Sequence, residues 1–283
     1  MIRFILLFGI LFCSEISLAQ YAYFGTRGKI AFDKITYTRA RMRDMMADAN
    51  PQQQGMGRRG GMGMNLDNIP ESNTQNFELF FDNDQTLMRS VEVEEESSAQ
   101  RPGAIRMRGG RGGGGGTLSV SVNTRRMGNN QKTIYQNLKT NISEIQVTID
   151  DSYILTDTLD SITWRFTDEY RNIAGYECRR VNGATKDSLY LIAFYTDQIP
   201  VSSGPALLHG LPGMVLGLVI PEMHIHYWAT AVDYSNEPLP NNWKDRKAIP
   251  MPLSEFSESF GRYFQRGGNN DSFRRRILEQ LIY

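Results

Sequence analysis

The chain has 283 residues, 40% of them hydrophobic and 22% charged, with Lys+Arg and Asp+Glu equal at 31 each. Such a balance supplies no global field for a nucleic-acid backbone or an anionic membrane surface, so a partner must be recognised locally. Its 2 cysteines, Cys13 and Cys178, are too few for a disulfide framework and leave stability to packing.

The first segment has one basic residue, Arg3, an apolar run over residues 4–12, and the small-residue ending Ser17-Leu18-Ala19 before Gln20. This layout predicts a secretory signal cleaved near Ala19, and the run is too short to span a bilayer. Phe12 before Cys13 is too bulky for a lipoprotein site, so cleavage without acylation is expected, and Cys13 leaves with the signal. About 260 residues remain, enough for one large domain with a sizeable core. That domain is expected over residues 20–250, with residues 251–283 as C-terminal helices and no transmembrane segment in the mature chain.

Residues 23–37 are rich in β-branched and aromatic side chains and predict one or two strands. Phe77, Leu79 and Phe81 share one face of a strand, Asp82-Asn83-Asp84 supplies a turn, and residues 87–93 return as a hairpin. Ile145, Val147 and Ile149 alternate with polar residues as on a sheet with one buried face, and Trp164 and Phe166 repeat the pattern. Residues 176–181 and 189–195 flank Asn182-Gly183, a turn dipeptide within a longer loop. Further strands are expected over residues 215–220 and 224–232. The period then changes: Leu253, Phe256, Phe260 and Phe264 fall at helical spacing, Gly267-Gly268 stops that helix, and Ser272 caps a last one carrying Phe273, Ile277 and Leu281. The expectation is a mainly β, β-rich α+β protein with a large antiparallel sheet and two short C-terminal helices.

Two inserts, residues 55–64 (GMGRRGGMGM) within 50–70 and residues 101–116 (RPGAIRMRGGRGGGGG) within 97–117, are too glycine-rich to repay the entropy of ordering and predict disordered loops. Arg58, Arg59, Arg106, Arg108 and Arg111 resemble arginine-glycine segments that wrap nucleic acid, but export removes that partner and leaves a solvated loop. The acidic cluster Glu92, Glu94, Glu95 and Glu96 offers an internal counter-charge.

The sharpest local signal is His209-Gly210-Leu211-Pro212-Gly213-Met214-Val215. Proline presets φ at the second position of a type II turn and glycine supplies positive φ at the third, so Leu211-Pro212-Gly213-Met214 reads as such a turn. Upstream, Ile199-Pro200 and Gly204-Pro205 bracket a stiff, extended connection. The stretch from Gly210 to Val215, with Trp164, Ile173-Ala174-Gly175-Tyr176-Glu177-Cys178, Phe194-Tyr195-Thr196, Ile199-Pro200 and Gly204-Pro205, resembles the GLPGLI family of exported proteins from diderm bacteria. Met214 and Val215 stand where that family prefers Leu and Ile. The resemblance implies an envelope location but no chemical task, and its strand succession is similar to lipoprotein-carrier folds, an open half-barrel with an apolar concave face.

Three histidines are candidate metal ligands. His224 and His226, two apart on an expected strand, would point to one face and could share copper or zinc, with His209 or one of Met56, Met62 and Met64 as a third ligand. The alternative is two polar residues on a wet strand face. No nucleophile elbow, zinc-protease helix or phosphate loop is present. A lone Cys178 on a strand is expected to pack as a small hydrophobe. Asp150-Asp151 and Asp168-Glu169 alternate across a strand and cannot act together without a bend. The expectation is a non-enzymatic protein of the periplasm or the periplasmic face of the outer membrane. It would bind an apolar ligand or an outer-membrane protein through one sheet face and the loop before Gly210. A copper- or zinc-binding accessory protein is the alternative.

Overall fold

The computed structural model describes residues 25–48, 69–91, 132–148, 151–265 and 282–283. The expected signal, both glycine-rich inserts, the Glu92 cluster, Ile149, Asp150 and the helix expected around Phe273 lie outside the described residues.

The strands are β1 (Arg27–Thr36), β2 (Asn73–Asp82), β3 (Gln85–Val91), β4 (Thr133–Asn137), β5 (Ile142–Thr148), β6 (Ser152–Thr158), β7 (Thr163–Ile173), β8 (Tyr176–Ala184), β9 (Tyr190–Thr196), β10 (Met214–Ile220), β11 (Ile225–Tyr234) and β12 (Ile249–Pro252). Helix α1 (Thr38–Asp48) follows β1, and α2 (Leu253–Gln265) follows β12. All strands join one 12-stranded sheet in the order β12-β6-β5-β4-β3-β2-β1-β11-β10-β9-β8-β7. Only β12 pairs in parallel, on β6, so the expected antiparallel sheet is mixed at one edge. β7 and β12 are its two ends and do not pair with each other, so the sheet is open.

Alternation along the strands creates one continuous inner face. In β1 it is made by Gly28, Ile30, Phe32 and Lys34; in β2 by Phe77, Leu79 and Phe81. Register carries the face across the sheet, since Ile30 opposes Leu79 and Val232, and Phe32 opposes Phe77 and Ala229. Burying each such large side chain contributes roughly 1.5–3 kcal/mol, which holds the register against a one-residue slip that would expose the whole set.

The sheet curls around this face. Gln136 on β4 donates through Nε2 to the Ala206 carbonyl at 2.6 Å, and Trp164 on β7 donates through Nε1 to the His209 carbonyl at 3.1 Å. Eight strand spacings separate β4 from β7, roughly 38 Å in a flat sheet, whereas Ala206 and His209 lie at most about 11 Å apart along the chain. Only a strongly curved sheet brings both strands to one short segment. On the outer face, residues 235–248 cross from β11 to the far edge. Trp243 stacks on Tyr135 at 5.5 Å, and Lys244 pairs with Glu144 at 2.6 Å.

Several sequence expectations change in detail. Asn182-Gly183 forms no turn but continues β8, and the chain reverses later, where Ser188 takes φ 64° and its N–H bonds the Thr185 carbonyl at 2.9 Å. Gly183 is glycine because Trp164 covers it: an added Cβ would lie 2.8 Å from Trp164 Cε3. Phe166 is 47% exposed, because β7 is an edge strand and its hairpin departs from simple alternation at a bulge between Phe166 and Tyr170. The first C-terminal helix is present as α2, with Phe256 buried edge-on against Tyr153. Helix α1, with no apolar stripe to announce it, is the element the sequence pattern did not reveal.

Candidate functional site

Residues 199–213, between β9 and β10, form a plug at one end of the inner face. Ile199, Ala206 and Leu208 are fully buried, and Val201, Ser203 and Leu211 nearly so. A loop that deep must satisfy its own backbone. The Ile199 carbonyl accepts from Val201 N at 2.8 Å and Met214 N at 3.0 Å, while Ser203 N bonds the Val201 carbonyl and Val215 N bonds the Ser203 carbonyl, both at 2.8 Å. The first and third are i→i+2 contacts, consecutive γ-type turns that Pro200 and Ser202 centre. Side chains supply the rest: Gly210 N bonds Ser202 Oγ at 3.0 Å, and the buried Ser203 and Thr86 hydroxyls meet at 3.1 Å.

The turn motif is built differently from the type II expectation. Positive φ falls on Gly210, at 84°, and on Ala206, at 61°, but not on Gly213. Gly213 is required by close approach instead, because a Cβ there would run into the Thr196 carbonyl and come within 3.0 Å of Asp197 Cα. Gly204 likewise backs onto Val215, with 2.6 Å between an added Cβ and Val215 Cβ. Pro205 is buried and Pro212 exposed.

The histidines are not arranged as one pair on a strand. Pro221 opens a 3-10 turn, Pro221–Met223, and His224 caps it in the left-handed region at φ 55°, its N–H on the Pro221 carbonyl. Only His226 lies in β11. His224 Nε2 lies 2.7 Å from Asp44 Oδ2 of α1. His226 packs edge-on against Tyr37 at 4.8 Å, and burial, then the neighbouring His224, holds its imidazole below the ordinary value. His209 is in the plug, its Nδ1 2.9 Å from the Leu207 carbonyl oxygen, with β10 between it and the other two. Among the described residues, no group of three or more histidine, cysteine, aspartate and glutamate side chains is gathered for a metal ion.

At the opposite end of the inner face from the plug, the chain buries two lysines that sequence reasoning missed. Lys34 on β1 is 9% exposed, with Nζ 5.8 Å from the Phe77 ring centre and 5.7 Å from that of Tyr227. Burial, then Arg41 of α1, lowers its pKa to about 8. Lys132, just before β4, is held to Ser90 on β3 through its carbonyl. Its Nζ is buried with no hydrogen-bond partner among the described residues. Burial, then Lys34, drives its pKa well down. The Tyr227 hydroxyl donates to the Tyr283 main-chain oxygen beside them, and burial raises its pKa. The only signal in the sequence was a lysine at the inward phase of β1, where an apolar residue is the rule.

Cys178 is fully buried, and loss of solvent pushes its thiol up to about 12, so it is packed rather than nucleophilic. Asp168 and Glu169 sit at the β7 bulge and pair with Arg179 at 3.0 Å and Arg180 at 2.6 Å.

The class that these features define is an open, curled β-sheet plugged at one end by its own loop. Residues 181–217, which run from β8 through the plug into β10, match the model of a family described as a protein of unknown function, Porph_ging. No curated protein matches the chain. Two structures of PNGF-II are similar in shape: one in space group P21 at 12% identity and TM-score 0.49, and one in C2 at 13% and 0.48. Each match covers 82% of this chain but 32% of the other, so the chain spans about a third of their length. No helix among the described residues is long and apolar enough to cross a membrane.

Proposed function

We propose that this is an exported, non-enzymatic binding protein of the cell envelope, a member of the GLPGLI family, acting in the periplasm or at the periplasmic face of the outer membrane. Its ligand is apolar, held against the inner face at the end away from the plug. The observation that carries this reading is the asymmetry of that face. Ile199, Val201, Leu208 and Leu211 occupy one end as part of the fold, whereas Phe77 and Tyr227 wall the other, between sheet edges that never close. The loop before Gly210 therefore acts as a packing element that shapes the site. An open sheet with an apolar interior suits uptake of a water-insoluble molecule, since transfer from water contributes about 25 cal/mol per Å² buried.

Titration with the uncharged fluorophore N-phenyl-1-naphthylamine tests the proposal. Saturable enhancement, reduced at least fivefold in Phe77→Ala, is expected; a linear, non-saturating response would remove the apolar site. Export is tested separately by intact-mass measurement of the envelope fraction, where a chain beginning near Gln20 without acyl groups is expected.

A further inference from the structure

Burying an ammonium group is costly unless an anion or several acceptors replace its water. Here two are buried on the same face, and the described charges that bear on them are themselves cationic. Lys34 is disfavoured by Arg41 and Lys132 by Lys34. The rings of Phe77 and Tyr227 stabilise Lys34 only weakly at nearly 6 Å. Lys132 Nζ has no hydrogen-bond partner among the described residues. Stability alone would favour methionine or leucine at both positions.

We propose that Lys34 and Lys132 form an oxyanion-binding end of the ligand site, taking the carboxylate or phosphate group of an amphiphile whose apolar part lies along the inner face. The inference rests on the binding-protein reading above and names its ligand class. Placement supports it. Lys34 pairs with Gln75 in register, and β2 joins β3 with Phe77 opposite Ser90, whose N–H bonds the Lys132 carbonyl. Both lysines thus lie at the same end of neighbouring inward-facing rows, the end from which α1 leaves β1. An anion there would gain two charge-assisted hydrogen bonds in a site already stripped of water, so little desolvation of the protein remains to be paid on binding.

Calorimetric titration of the full chain with laurate, dodecanol, acetate and inorganic phosphate separates the possibilities. Laurate should bind at least tenfold more tightly than dodecanol and acetate. In Lys34→Met and in Lys132→Met, laurate affinity should fall at least tenfold while dodecanol affinity is unchanged. The unsubstituted protein gives a second readout: laurate affinity should decline as pH rises above about 8, where Lys34 loses its proton, with dodecanol indifferent to pH. Equal binding of laurate and dodecanol, or laurate affinity indifferent to both substitutions and to pH, would overturn the anion site while leaving the apolar site standing. Phosphate binding lost in both variants, with neither laurate nor dodecanol bound, would keep the anion site and remove the apolar ligand. No binding of any of the four overturns the proposal.

Discussion

Gly210 and Gly213 stand three apart in one motif and are glycines for different reasons. At Gly210 the backbone is left-handed at φ 84° with open space, the nearest atom to an added Cβ being Trp164 Nε1 at 3.5 Å. Gly210→Ala should therefore cost only the torsional penalty, about 1 kcal/mol. At Gly213 the backbone is ordinary but a methyl would collide with the Thr196 main chain, on the strand to which Met214 is paired. Nothing flexible can give way there, so Gly213→Ala should cost roughly 3 kcal/mol or more. Urea titration of the two variants distinguishes these mechanisms by their midpoints at unchanged slope; equal losses would mean that torsion, not contact, governs both.

At the scale of elements, the plug is joined to distant strands by a few polar contacts that apolar packing cannot replace. The Thr86 and Ser203 hydroxyls, buried and 117 residues apart in sequence, satisfy each other across the inner face. A double-mutant cycle with Thr86→Val and Ser203→Ala should give a coupling of about 1 kcal/mol, each single change leaving one hydroxyl orphaned. Additive losses would place the pair outside the plug's anchoring. Such contacts explain what could and could not be read from the chain. Strand phase was legible wherever one face is wet, as at Phe77, Leu79 and Phe81, because period-two alternation follows from burial alone. The plug was legible as a motif but not as a buried object, since nothing local in Leu211-Pro212-Gly213 indicates that Thr86, Gln136 and Trp164 will surround it. Asn182-Gly183 misled because a turn dipeptide within β8 serves side-chain packing by Trp164 instead. His224 left its strand because Pro221, three residues earlier, imposes a 3-10 turn whose exit is left-handed.

For the whole molecule, the buried lysines make stability depend on pH in a direction opposite to that of a salt-bridged acid. The folded-state pKa of Lys34 is about 8, below its ordinary 10.5. The unfolded chain therefore binds more protons between those values, and stability from this group rises with pH across that window. Below about pH 8 the cost of the buried charge is present in full, on the order of 3 kcal/mol for Lys34; above about 10.5 it vanishes. Lys132 is shifted in the same direction by the same cause and adds to the trend. Buried Tyr227 works the other way at high pH, because its raised pKa leaves the unfolded chain ionising first and pulling the equilibrium towards it. The two effects overlap near pH 10, so the informative quantity is a difference between proteins that share Tyr227. Lys34→Met with Lys132→Met keeps similar volume and removes both charges. At pH 7 this double variant should be more stable than the parent by about 2–4 kcal/mol, and the gap should shrink steadily from pH 8 to close near pH 10.5. Chemical denaturation across that range, in a buffer without phosphate or carboxylate, measures it. A gap that stays constant with pH, or a double variant less stable than the parent at pH 7, would mean that the folded protein already neutralises both ammonium groups.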